Sequence, residues 1–137
     1  MLSLHFGNPH VVSDRVGANA VPEWTIQIQC PWRISQGSRI VIAFRDFYYS
    51  DAPLSNLAVM SKSRFNSVLD TLSTEFEAVP PEVEAVETDD SGSFSVRLSR
   101  DYRLEVFPAE NAASGKHWRV FQPGTQGSSF VFPPDEA

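Results

Sequence analysis

The chain has 137 residues, 42% of them hydrophobic and 20% charged, enough to bury a core without disulfide or metal staples. A net charge of −6 excludes the usual routes to nucleic acid, which neutralise phosphates with Lys and Arg, and to anionic membranes. A single cysteine, Cys30, excludes an internal disulfide.

Leu2, Leu4 and Phe6 alternate with polar neighbours and predict a strand over 2–6. Gly7-Asn8-Pro9 signals a turn, 10–12 a second short strand, and 17–22 a loop. Alternation is strict over 24–33. Trp24, Ile26, Ile28, Cys30 and Trp32 share one face, expected to be buried, and Thr25, Gln27, Gln29 and Arg33 share the other. One apolar and one polar face is the pattern of a strand in an antiparallel sheet covered on one side. Pro31 marks an edge or an end there. A turn at 35–38 leads into a strand over 39–47, with Ile40, Ile42 and Phe44 on one face, completing a hairpin.

Residues 50–61 read as a loop. The period then changes: Phe65, Val68, Leu69, Leu72 and Phe76 form one stripe of an amphipathic helix at about 62–77. Ser61 or Ser63 is placed to cap it, and Pro80-Pro81 ends it. A strand over 82–88 follows, in which Glu82 and Glu84 point outward together. Glu87 falls out of phase, implying a bulge or strand end near Val86. Asp89-Asp90-Ser91-Gly92 is a turn. Strands through Phe94, Val96 and Leu98 and through Tyr102, Leu104 and Val106 meet at a tight turn, Arg100-Asp101. After a small-residue loop at 111–116 come strands at 117–122 and 130–132. The expected architecture is a single α+β domain over 1–137, mainly antiparallel β. It takes the form of a curved sheet or partly open barrel with one helix packed on it.

Chemistry is sparse. Cys30 is the one possible thiol nucleophile, but its apolar face makes it a small hydrophobe of the core. His5, His10 and His117 lack metal-ligand spacing, and there is no nucleophile elbow or phosphate loop. No catalytic residue, metal site or cofactor follows from the residues. The stretch 75–90 carries seven carboxylates, Glu75, Glu77, Glu82, Glu84, Glu87, Asp89 and Asp90, and no Lys or Arg. It is either a solvated face or a docking surface for a basic protein. The alternative is a small-molecule-binding or catalytic β-domain, with His5, Gln27, Gln29, Arg33 and Asp46 lining a pocket between sheet and helix. The N-terminal residues lack the basic and apolar regions of a signal peptide, and no apolar run reaches membrane-spanning length, so a cytoplasmic setting is expected.

One resemblance bears on this. Trp24-x4-Gln29-Cys30-Pro31-Trp32-Arg33-Ile34 is followed by Asp46-Phe47-Tyr48, Arg103-Leu104-Glu105-Val106-Phe107-Pro108, His117-Trp118-Arg119 and Phe130-Val131. In that order, over most of 1–132, the chain resembles a family of small uncharacterised bacterial proteins. The Leu-Glu-Val-Phe strand followed by a Trp-Arg strand also resembles immunity-type families. The resemblance implies a bacterial cytoplasmic setting and an immunity-like role, and carries over no site residue. The expected function is a non-enzymatic interaction domain that binds a basic partner.

Overall fold

A computed structural model describes residues 2–7, 10–14, 17–48, 64–109, 116–124 and 129–134. The loop expected at 50–61, all but Lys116 of that at 111–116, and Ser61 and Ser63 lie outside these residues. The elements run β1 (Leu2–Phe6), β2 (His10–Asp14), β3 (Gly17–Val21), β4 (Trp24–Ile28), β5 (Trp32–Gln36), β6 (Arg39–Ala43), a 3-10 turn (Phe44–Tyr48) and α1 (Arg64–Ala78). Then come β7 (Val83–Thr88), β8 (Phe94–Leu98), a 3-10 turn (Ser99–Asp101), β9 (Tyr102–Val106), β10 (Trp118–Phe121) and β11 (Phe130–Phe132). The fold is α+β and mainly antiparallel β, with open sheets and, among the described residues, one α-helix, as the sequence predicts. No helix among the described residues is long and apolar enough to cross a membrane. The chain divides into two compact units, Met1–Cys30 with Pro108–Ala137, and Pro31–Phe107.

The first unit holds a four-stranded sheet in the order β1-β4-β10-β11 and a separate β2-β3 ladder. Leu2, Ile28, Trp118 and Phe132 form one cross-strand row, and Ser3, Gln27, Arg119 and Val131 form the next, on the opposite face. Trp118 and Phe132 stack at 5.9 Å. β3 replaces the loop expected at 17–22. Its Gly, Ala and Asn have low strand propensity, but the register against β2, from His10↔Val21 to Asp14↔Gly17, supplies the backbone bonds that propensity alone does not.

The second unit is a five-stranded antiparallel sheet, β6-β5-β9-β8-β7, with α1 on one face. That face buries Trp32, Ile34, Ile42, Val96, Leu98, Leu104 and Val106. The helix contributes Leu72, sets Phe65 edge-on to Trp32 at 6.1 Å, and sets Phe76 edge-on to Tyr102 at 5.0 Å. Burying a side chain the size of Ile42 or Leu104 is worth about 1.5–3 kcal/mol each.

The single strand expected over 24–33 is two strands in two sheets, β4 and β5, separated at Gln29–Pro31. Pro31 has no N–H to continue a ladder. Its carbonyl accepts the Phe107 N–H at 2.8 Å, while the Gln29 N–H donates to the His117 carbonyl at 2.7 Å. Burial follows the split. Ile28, Cys30 and Trp32 are buried as expected, but Trp24 and Ile26 are only half-buried and Thr25 is 4% exposed. Thr25 lies in the middle of its sheet, opposite His5 on β1 and Phe121 on β10, so neighbours enclose it from both sides.

The β5–β6 hairpin closes with Gly37 at φ +59°, the left-handed position where a two-residue hairpin turn takes glycine. A bulge then leaves Val41 unpaired between Ile34↔Ile42 and Ser35↔Ile40. Ile40 and Ile42 are therefore not equivalent, as simple alternation expects: Ile40 is 55% exposed and Ile42 0%. The β7 bulge lies at Glu84, between Val83↔Leu98 and Ala85↔Arg97, rather than near Val86. Glu87, opposite Ser95, is in phase with Ala85.

The β6 bulge sets a direct test. Ile42→Ala is expected to cost about 2–5 kcal/mol in urea unfolding, the range for a fully buried aliphatic truncation. Ile40→Ala is expected to stay within about 0.5 kcal/mol. Equal losses at the two positions would show that the bulge is misplaced.

Candidate functional site

α1 carries no basic residue in its last turn, and Glu75 and Glu77 oppose the helix dipole there. Arg100 supplies the missing charge. It lies in the β8–β9 turn, and its Nη2 donates to the Val79 carbonyl at 2.6 Å, just past the helix end. Its guanidinium also lies 5.8 Å from the Tyr102 ring centroid. The Tyr102 hydroxyl donates to Glu75 Oε2 at 3.1 Å. Burial pushes the Tyr102 pKa up, and the Glu75 hydrogen bond and charge push the same way. In the same turn Ser99 is bonded twice to Glu82: its N–H donates to the Glu82 carbonyl at 2.8 Å, and its hydroxyl accepts the Glu82 N–H at 2.8 Å. The helix end, the start of β7 and the β8–β9 turn thus meet at one end of the sheet.

β7 is an edge strand, so the carboxylates that follow lie along an open sheet margin. Its six residues span about 20 Å. Glu82 and Glu84 sit at one end, Glu87 further along, and Asp89 and Asp90 in the turn beyond. All seven candidate carboxylates are exposed. Val83 and Val86, 50% and 58% exposed, lie among them. Asp89 Oδ1 accepts the Ser91 hydroxyl at 2.7 Å and the N–H groups of Ser91 and Ser93 at 2.9 and 3.1 Å. Led by the Ser91 hydroxyl bond, these hold its carboxyl below the usual aspartate value, so the turn keeps its charge.

The alternative polar set is distributed over both units. In the four-stranded sheet His5 and Gln27 share a face on neighbouring strands, His5 opposite Thr25 and Gln27 opposite Ser3 and Arg119. Gln29 lies past the end of β4 and is exposed. In the other unit, Asp46 Oδ2 accepts the Ala43 N–H at 2.8 Å and closes the turn after β6. Arg33 forms a two-pronged pair with Glu105, its cross-strand partner, at 3.1 and 3.2 Å. A groove of about 500 Å³ does lie between helix and sheet, where α1 passes β6, but Gln36, Arg39, Thr71 and Glu75 line it rather than any of these five.

The sheet face that α1 leaves open carries residues that the sequence reading did not single out. Arg97 on β8 lies directly opposite Arg103 on β9, and Ser35 on β5 lies opposite Arg103 on its other side. Like charges directly opposed across a ladder destabilise by about 0.2–1 kcal/mol. With Arg33, Ser38 and Ile40 they line a groove of about 470 Å³. Alternation with Val96, Leu98 and Leu104 was the available signal for their outward direction. Their juxtaposition depends on the length of the β8–β9 turn. A two-residue turn at Arg100–Asp101 would set Arg103 opposite Leu98, whereas the three-residue turn at Ser99–Asp101 sets it opposite Arg97.

His5 is exposed, while His117 is buried and stacked on Phe132 at 6.1 Å. The side chain of His10 lies outside the described ones, and no metal-holding group of three occurs among the described residues. Cys30 is buried, and burial pushes its thiol up to about 11. A thiol raised this way stabilises the fold below its ordinary pKa of 9.0, and that contribution is lost as pH rises from there towards about 11. Native Cys30 is expected to react slowly with a thiol reagent at pH 8 and quickly in denaturant. Fast native labelling would assign it an accessible, reactive role instead.

Searches against protein-family models, curated proteins and solved structures return no match to this chain.

Proposed function

We propose that this chain is a non-enzymatic protein-binding domain whose acidic β7 edge receives a basic, extended segment of a partner. The observation that carries the reading is the combination on one sheet margin of a strand edge unpaired among the described residues, two exposed valines and a line of exposed carboxylates. A strand adding to such an edge gains main-chain hydrogen bonds, while alternate side chains supply selectivity. Here Val83 and Val86 offer apolar contact, and Glu82, Glu84 and Glu87 select lysine and arginine. The same carboxylates repel a second copy of the edge, so the charge that admits a basic strand disfavours self-pairing. A bacterial cytoplasmic setting and an immunity-like role accompany this proposal through the family resemblance.

The test uses a synthetic extended peptide of alternating lysine and valine, with the aspartate-for-lysine peptide as control. Association of the basic peptide is expected to slow sharply between 0.1 M and 1 M salt, as the Debye length falls from about 10 Å to about 3 Å. Glu82→Lys, Glu84→Lys and Glu87→Lys together are expected to lower the on-rate about tenfold or more, with the unfolding midpoint nearly unchanged. An on-rate indifferent to both salt and charge reversal would remove this function from the edge.

A further inference from the structure

Beyond the acidic edge, we propose that the open face of the five-stranded sheet binds a compact tetrahedral oxyanion, a phosphate or phosphate monoester, between Arg97 and Arg103.

Three observations converge. The first is charge without a side-chain partner among the described residues. Of the three arginines on this face, Arg33 is neutralised by its two-pronged pair with Glu105. The side chains of Arg97 and Arg103 make no ion pair or hydrogen bond with any described residue, although the two residues lie directly opposite one another. In a chain of net charge −6, two uncompensated guanidiniums held side by side form a local positive site in an overall negative field. An anion bridging them removes the repulsion and gains charge-assisted hydrogen bonds from two planar donor forks.

The second is the surrounding chemistry. Ser35, directly across from Arg103, and Ser38, in the adjoining turn, bring hydroxyl donors to the same groove. Two guanidiniums with two hydroxyls offer donors on several sides, which suits the oxygens of a tetrahedral anion better than a planar carboxylate.

The third is what limits the ligand. Asp101, in the turn before β9, and Glu105, on β9, lie two residues to either side of Arg103, and both line the groove. Carboxylates therefore flank the Arg97–Arg103 pair along the chain. A single phosphoryl group fits between them, whereas a nucleic-acid backbone extended along the strand meets carboxylates in both directions. Ile40, half-exposed at the groove wall, gives the ester group of an organic phosphate an apolar surface.

The experiment is an amide-resolved NMR titration of the whole chain with inorganic phosphate, with methyl phosphate and with a short single-stranded oligonucleotide. Saturable shifts centred on Ser35, Arg97 and Arg103 are expected for the first two, with a dissociation constant of about 1 mM. Arg97→Gln and Arg103→Gln are each expected to weaken binding about tenfold. Arg45→Gln, an exposed arginine outside the groove, is expected to leave it unchanged. Removing one of two opposed like charges relieves repulsion, so both groove variants should keep or slightly raise the wild-type unfolding midpoint, which circular dichroism verifies. Tighter binding of methyl phosphate assigns the site to an organic phosphate ester, and equal or weaker binding assigns it to inorganic phosphate. Shifts that never saturate, saturation unaltered in the two groove variants, or tighter binding of the oligonucleotide would each overturn the proposal. None of these outcomes bears on the β7 edge, whose carboxylates stay intact in every variant.

Discussion

Tyr102 and Arg100 together hold α1 against the five-stranded sheet, and the character of both sheet faces follows from that attachment. Tyr102 begins the central strand β9, packs edge-on against Phe76 and is tethered through its hydroxyl to Glu75. Two residues earlier, Arg100 bonds the carbonyl beyond the helix end. One side chain anchors the helix by packing and the other by charge, where the helix's own residues leave its negative end uncompensated. Arg100 does this from a left-handed backbone conformation, φ 59° and ψ 29°, and Asp101 follows at φ 65°. For residues other than glycine that geometry costs about 1–2 kcal/mol each, so the turn retains residues chosen for their side chains at the expense of backbone ease.

With one face committed to the helix, the other face and the margin carry the polar chemistry, and the two have opposite sign. The β7 margin is lined by carboxylates, while the open face places arginines on β5, β8 and β9. Neither feature needs a loop of special geometry. Each is a product of strand order and register, and displacing β8 against β9 by one residue would dissolve the arginine pair while leaving the acidic edge untouched.

Most elements were legible in the sequence because they rest on local periodicity. The α1 stripe, the strands of the β8–β9 hairpin and the turn at Gly37 stand where the pattern placed them. The misses have non-local causes. The strict alternation over 24–33 runs straight through a change of sheet, because alternation is a property of the residues and carries no mark of where one ladder ends and another begins. The bulges at Val41 and Glu84 each insert one residue, and a bulge leaves no compositional mark. The residues of β3 are poor strand formers and look like a loop in sequence, whereas its strand depends on pairing with β2. The carboxylates of the candidate edge were visible as a contiguous run. The arginines were not, since they are separated by up to seventy residues and meet only once three strands are in register.

The hydrogen bond from the Phe107 N–H to the Pro31 carbonyl joins the first and last residues of the second unit. A contiguous segment whose two ends lie a single hydrogen bond apart occupies almost no length along the path of its host. A short linker between residues 30 and 108 would bridge the gap left by its removal, and the same gap would accept a different module with closely spaced ends. The helix-bearing sheet is thereby one uninterrupted stretch of chain that leaves and rejoins the rest at a single point.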